Sequence, residues 1–228
     1  MIDFHSHILP CIDDGSKSVD ESLAMLRMLK KQRVLKVVAT PHFHANHHTV
    51  DDFLNRRYTA YDTLFQEMTD DLPDIIMGAE VRYYQGISRL DGLEKLTVKG
   101  TKLLLLEMPM QKWTEFTLRE LKELSYTGKV IIVLAHIERY LKYQGKSVIN
   151  ELVDSGILIQ ANADFFLSFT TRYKAISMLN NHLIHFIGSD CHNLTSRPPK
   201  MDAAISYIKR KAGNEAVFEL KTFAERFL

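Results

Sequence analysis

Cysteine is scarce in this chain: of 228 residues, only Cys11 and Cys191 carry a thiol. Two cysteines make no disulfide framework, and a reducing cytoplasm is the expected compartment. An excess of one charge is missing too. Twenty-nine basic residues stand against 28 acidic ones, a net charge of +1. That balance removes any electrostatic argument for nucleic acid or for an anionic membrane surface. No apolar run approaches the ~18 residues of a membrane-spanning helix, and no signal peptide precedes Asp3, so direct membrane insertion is not expected. No stretch is low-complexity and no linker divides the chain. With 46% hydrophobic and 25% charged residues, one globular domain over 1–228 is expected.

What is present is an alternation. Apolar runs "IDF" (2–4), "VLKVVA" (34–39), "DIIMGA" (74–79), "KLLLLE" (102–107), "KVIIVLA" (129–135), "GILIQA" (156–161) and "LIHFIGS" (183–189) are separated by helical patterns. Ser18 and Glu21 have capping-box spacing ahead of Val19, Leu23, Leu26 and Leu29. Thr49 caps a second expected helix with Phe53, Leu54, Tyr61, Leu64 and Phe65 inward. Residues 114–125, 168–180, 199–211 and 214–227 also read as helical. Continuous apolar strands between helices argue for an α/β fold with a parallel sheet covered on both faces. Seven strands suit a closed barrel. An open doubly wound sheet is the competing layout, and periodicity alone does not separate them.

The ends of the runs carry the chemistry. His5 and His7 follow the first, His42 and His44 the second, Glu80 the third, Glu107 the fourth and His136 the fifth. The sixth offers Gln160 and Asn162, and the seventh ends in Asp190 and His192. In a parallel barrel these ends meet at one rim, where active sites are built. Imidazole and carboxylate together suit Zn, Mn or Fe. His5 and His7, two residues apart on a strand, point to the same side. Taken singly, each has a plainer reading: a strand-end histidine is ordinarily a hydrogen-bonded structural residue, and Asp13 and Asp14 before Gly15 read as a turn. The conjunction is what points to metal. His44, His47 and His48, in "HFHANHH", fall in a loop before a helix.

The segments "DFHSHILPCIDDGS", "ATPHFH", "GAEVRY", "LLLLEMP", "LAHIERY" and "GSDCHN" resemble the motifs of the PHP (polymerase and histidinol phosphatase) superfamily. More closely, they resemble the manganese-dependent protein-tyrosine phosphatases encoded with bacterial capsule and exopolysaccharide genes. The similarity runs from residue 2 to about residue 200. Cys11 stands where that family usually has Gly, Ile137 where Pro is common, and Cys191 where Ala is usual. The resemblance implies a distorted seven-stranded (β/α) barrel of PHP type with three divalent ions. Mn²⁺ is implied first, with Fe, Zn, Mg or Co as alternatives. It assigns His5, His7, Glu80 and Asp190 to one metal, and Glu80, bridging, with Glu107 and His136 to a second. Asp14, His42 and His192 go to the third. It also implies the phosphotyrosine tail of a capsule-type bacterial tyrosine kinase as partner, and leaves a homo-oligomer open.

Clustered divalent cations neutralise a phosphate monoester and make hydroxide available near neutral pH, so a metal-bridging hydroxide attacking phosphorus in line is the expected chemistry. Arg139 and Arg197 would clamp the phosphate oxygens, since guanidinium donates in a bidentate fork. Trp113 and Phe116 are candidate pocket walls, with packing against the outer helices as the plainer alternative. "CHNLTSR", Cys191 to Arg197, matches the C-x5-R pattern of cysteine-dependent phosphatases. It has no glycine and contains a metal-ligand candidate, His192, so a cysteine mechanism is disfavoured. Another PHP hydrolase, such as a histidinol phosphate phosphatase, is the alternative enzyme; a non-catalytic metal-binding partner of capsule synthesis is disfavoured because every expected ligand is present.

Overall fold

A computed structural model describes residues 1–228. Nine parallel strand segments are interspersed with seven α-helices and three short 3-10 helices. β1 (Ile2–Ser6), β2 (Lys36–Ala39) and β4 (Asp74–Met77) form one sheet, in that order. β3 (His42–Phe43), β5 (Glu80–Arg82), β6 (Leu103–Glu107), β7 (Ile131–Leu134), β8 (Leu158–Asn162) and β9 (Phe186–Gly188) form the other.

The two sheets are parts of one curled surface. Beyond the second and third apolar runs the strand track resumes after a short interruption. Pro41, which has no N–H to donate, separates β2 from β3, and Gly78–Ala79 separate β4 from β5. Pairing continues across the breaks, since Gly78 N donates to Ala39 O at 2.8 Å and Glu80 N to Pro41 O at 3.0 Å. At the far edge β9 returns towards β1. Asp190 N donates to His5 O at 2.8 Å and His7 N to Cys191 O at 2.9 Å.

The helices are α1 (Val19–Lys31), α2 (Val50–Phe65), α3 (Glu115–Tyr126), α4 (Lys146–Asp154), α5 (Ala163–Leu167), α6 (Arg172–Asn180) and α7 (Met201–Glu225). Ser18, Thr49 and Thr114 cap the first three by accepting from the N–H groups of Glu21, Asp52 and Thr117. The expected helices 199–211 and 214–227 are the two halves of α7, kinked where Gly213 adopts φ 92°. Three expectations need correction. Phe65 does not face inward: it is 58% exposed, because it sits one residue past the buried row Phe53, Arg57, Ala60 and Leu64. The helix expected over 168–180 begins only at Arg172, and the separate α5 precedes it. The short α4 was not foreseen.

Two apolar layers result. The larger lies between sheet and helices and includes Val37, Leu104, Leu106, Ile132, Leu134, Ile159 and Ala161. The smaller, inside the curl, takes the alternate residues Phe4, Val38, Leu103, Leu105, Val133 and Phe186, as period-two side-chain direction requires. The end of α7 and the residues after it cover this inner layer with Phe223, Ala224, Phe227 and Leu228. The inner face therefore begins apolar at the N-terminal strand ends and turns polar at the C-terminal ends.

Candidate metal centre

Regular alternation would carry Ile2, Phe4 and Ser6 to the inner face and leave His5 and His7 outside. The pairing of β1 with β2 slips between Asp3 and Ser6: Asp3 lies opposite Val37, but Ser6 lies opposite Ala39. One extra residue in β1 is a bulge, and bulges re-aim side chains. Phe4 thus serves the inner apolar layer while His5 and His7 turn to the polar end. His136 and Asp190 reach the same place by another route. Each leaves its strand with positive φ, 33° and 51°, a sparsely populated conformation for residues with a Cβ. Glycine makes room at two points. A Cβ on Gly188 would lie 2.5 Å from His5 Cβ, and one on Gly15 would lie 2.3 Å from His7 O.

All nine candidate ligands meet at this rim. Their ligand atoms fall into overlapping groups that are each compact enough to hold one ion. The groups are His5–His7–Asp190, His5–Glu80–His136, His42–Glu80–Glu107 and His7–Asp14–His42–His192. Glu80 is central. Its Oε2 lies 3.0 Å from His42 Nδ1, 3.3 Å from His7 Nε2 and 3.7 Å from His5 Nε2, and its Oε1 lies 2.7 Å from His136 Nε2. Asp14 Oδ1 lies 3.3 Å from both His42 Nε2 and His192 Nε2. His136 Nε2 lies 3.7 Å from Glu107 Oε1.

Outer hydrogen bonds set the tautomers. His7 Nδ1 lies 2.7 Å from Asp13 Oδ2, and only the imidazole can supply that proton. His192 Nδ1 donates to Asp190 O at 3.1 Å. His5 Nδ1 lies 2.6 Å from Thr40 Oγ1, whose own proton goes to Ser6 O. His136 Nδ1 pairs at 3.1 Å with the Tyr140 hydroxyl, which also accepts from Met108 N. This is how metal-binding histidines are held: one nitrogen is tied back and the other is presented inward. The inward atoms His5 Nε2, His7 Nε2, His42 Nδ1 and His192 Nε2 are buried without hydrogen-bond partners. Orphaned buried nitrogens facing carboxylates are costly unless a cation sits among them. The residues present therefore fit divalent metal.

Electrostatics agree. Burial by itself would raise the Glu80 carboxyl, but His5, His136, His42 and His7 outweigh it and hold it well below the usual range. Asp190 is held low against burial by His5 and His7. Burial and the nearby His7 and Arg197 push His192 down to about 4, so its imidazole is neutral at pH 7. Asp3 sits behind the site. It accepts from Ser189 N at 2.7 Å and His5 N at 3.3 Å, and burial pushes it up to about 6.

Sequence reasoning took Asp13 only as part of a turn. It does make the turn, accepting from Gly15 N at 2.9 Å, but it also orients His7 and accepts from His42 N at 3.0 Å. Thr40 and Tyr140 were likewise missed. Gln160 and Asn162 orient their neighbours: Gln160 Oε1 accepts from His136 N at 2.6 Å, and Asn162 Nδ2 donates to Asp190 Oδ2 at 2.8 Å.

Arg139 and Arg197 stand at the mouth, 30% and 38% exposed, and each places NH2 2.7 Å from Asp190 Oδ2. His44 lies beside His42 and stacks on His47, while His48 pairs with Arg56; none of the three joins a ligand group. Trp113 is buried against Tyr140, so it is a core residue, whereas Phe116 is exposed. Cys191 is fully buried, and burial with nearby Asp3 pushes its thiol up, which removes the cysteine mechanism. Cys11 adopts φ 57°, a left-handed conformation that favours glycine.

A family described as "Capsular polysaccharide synthesis, CpsB/CapC" matches residues 1–225. Tyrosine-protein phosphatase CpsB of Streptococcus pneumoniae is 34% identical over 238 residues, covering 96% of this chain and 94% of that protein. Tyrosine-protein phosphatase YwqE of Bacillus subtilis (strain 168) is 30% identical over 234 residues, covering 100% and 91%. A chain from the crystal structures of YwqE and CpsB, described as unique metal-dependent tyrosine phosphatases, matches with a TM-score of 0.86. Its identity is 26%, covering 100% of this chain and 94% of that one.

Proposed function

The chain belongs to the CpsB/CapC capsular polysaccharide synthesis family, and on that premise we propose that it is a metal-dependent protein-tyrosine phosphatase. The observation that carries the reading is the convergence of nine histidines and carboxylates around four orphaned imidazole nitrogens. In this reading, His5, His7, Glu80 and Asp190 hold one ion. Glu80, Glu107 and His136 hold a second, and Asp14, His42 and His192 a third, with Mn²⁺ as the ion. When bound, the ions would neutralise phosphate charge and supply hydroxide near neutral pH. The nine tracks of strand then belong to a distorted seven-stranded barrel of PHP type, a reading supported by the hydrogen bonds that link β9 to β1.

The chain's own residues do the rest. Asp13, Thr40 and Tyr140 fix the rings of His7, His5 and His136. Arg139 and Arg197 clamp phosphate oxygens from the mouth. Their shared partner Asp190 Oδ2 keeps both guanidinium groups pre-aimed, while Asp190 Oδ1 faces His5 at 3.3 Å. Burial of His5, His7 and Glu80 below the rim supports selectivity for a long phosphorylated side chain: phosphotyrosine reaches where phosphoserine stops. The family and its named relatives support a bacterial capsule-type tyrosine kinase tail, in the cytoplasm, as the substrate.

The test is turnover of matched phosphotyrosine and phosphoserine peptides and of histidinol phosphate, after chelation and again with added Mn²⁺. Manganese-dependent turnover of the phosphotyrosine peptide alone is expected. Preference for histidinol phosphate, or equal rates on the two peptides, would overturn the assignment.

A further inference from the structure

Two adjoining pockets make a trough beside the candidate metal centre. One part, of about 530 Å³, is lined by His44, Arg82, Tyr84 and Leu90 among others. A second, of about 350 Å³, is lined by Tyr84, Pro109, Phe116 and Thr117 among others. The two share Tyr83 and Tyr84. His44, Arg82 and Pro109 each follow a candidate ligand by two residues: His42, Glu80 and Glu107.

The shared wall is held rigidly. Glu120 of α3 is only 4% exposed, and it accepts from Tyr83 Oη at 2.7 Å, Gly86 N at 2.9 Å and Ser88 Oγ at 3.0 Å. A buried carboxylate is tolerated because these donors satisfy it, and in return residues 83–88 are fixed in place. A wall ordered in advance loses little entropy on binding.

Arg82 supplies the charge. It lies in register with Glu107, roughly 6.6 Å along β5 from Glu80 at the ordinary rise per residue. It is exposed and, unlike Arg139 and Arg197, has no carboxylate partner. An unpaired guanidinium above an aromatic trough, next to a phosphate-binding centre, matches an extended peptide with an anionic side chain near the phosphotyrosine. Resting on the phosphatase reading above, we propose that this trough binds the residues flanking the phosphotyrosine. Arg82 selects an anionic side chain there, and Tyr84 with Phe116 packs against its neighbour.

The test uses four phosphotyrosine peptides that differ only in the flanking residues: Asp, a second phosphotyrosine, Ala or Lys. The Mn²⁺-loaded protein should prefer the Asp peptide to the Lys peptide by about 10-fold in kcat/KM, the order of one charge-assisted contact. Preference for the doubly phosphorylated peptide without preference for Asp identifies phosphate as the anion and supports the subsite. Arg82→Gln should erase the ratio and Arg82→Glu invert it, while Lys209→Glu, on α7, should leave it unchanged. Tyr84→Ala should raise KM for all four. Equal kcat/KM on all four peptides, or a ratio unaltered in both Arg82 variants, overturns the subsite. p-Nitrophenyl phosphate separates the two claims: its hydrolysis upholds the phosphatase reading even when the subsite fails, and its absence with Mn²⁺ overturns both.

Discussion

At the N-terminal ends of the strands, Phe4 stacks on Phe186 with ring centroids 3.9 Å apart, and Phe223 of α7 and Phe227 just after it close over them at 5.4 and 6.0 Å from Phe186. At the C-terminal ends, imidazole rings replace phenyl rings at similar spacing: His7 lies 3.9 Å from His192 and 5.1 Å from His5. The same strands build both. The apolar end follows regular alternation, because any residue of suitable volume satisfies it. The polar end departs from it through a bulge in β1 and left-handed residues at His136 and Asp190, because inward-facing ligands must come from particular positions. The apolar end is held by burial, whereas the polar end is costly without a cation. A cavity of about 600 Å³ lies at the apolar end under α7, lined by none of the nine candidate ligands.

The sharpest test of this contrast is Glu80→Gln. It removes the one carboxylate shared by four histidines. Phosphatase activity should fall by more than the roughly 10–100-fold typical of outer contacts. Bound metal, measured by elemental analysis, should fall with it, while thermal unfolding of the metal-free protein stays cooperative. Full metal content in this variant would remove Glu80 from the ligand set.

The mirror experiment is Phe186→Ala. Removing a fully buried aromatic from the plug should cost about 3–5 kcal/mol in urea unfolding. Activity per folded molecule should remain. A loss of activity beyond the unfolded fraction would mean that the two ends are coupled.

The arginines test the boundary between metal and substrate. Arg139→Ala or Arg197→Ala should lower kcat/KM by about 10²–10³-fold, as loss of a contact to developing negative charge does. Bound manganese should be unchanged. Lys at either position should rescue only partly, for want of the fork. Since both arginines touch Asp190, loss of metal in either variant would instead make it a support for that ligand.

The smallest effect lies back at the apolar end. Burial pushes His185 down to about 4, and its Nδ1 accepts from Ile159 N at 3.1 Å, which requires the neutral ring. Unfolded, the ring titrates near 6.5, so between about pH 6.5 and 4 the unfolded chain binds more protons. Stability contributed by neutral His185 is therefore full above that window and lost as pH falls through it, by up to about 3 kcal/mol. His185→Gln should flatten this part of the difference curve relative to the unaltered protein. An unchanged slope would place the titration elsewhere.

The seven apolar runs, their order and the residues at their ends were legible because strand and helix periodicity is local. Each of the runs contains a strand, and all nine candidate ligands stand at or just beyond a strand end or in the turn after β1. At the end of β1 strand period alone was not enough. His5 and His7 do share a side, but only the bulge makes that side the inner one. Asp13 looked like a turn residue because its partner His42 is 29 positions away, and no periodicity spans that distance.

The sequence by itself determined the repeating α/β order and a set of imidazoles and carboxylates at the strand ends, since both follow from the spacing of neighbouring residues. Tertiary structure alone decided which nitrogen of each histidine faces inward and that Arg139 and Arg197 share one carboxylate oxygen. It also decided that Trp113 is core while Arg82 stands unpaired. Those outcomes depend on hydrogen bonds and packing between residues as far apart as Asp3 and Ser189, where closure of the sheet, and not local preference, brings donor to acceptor.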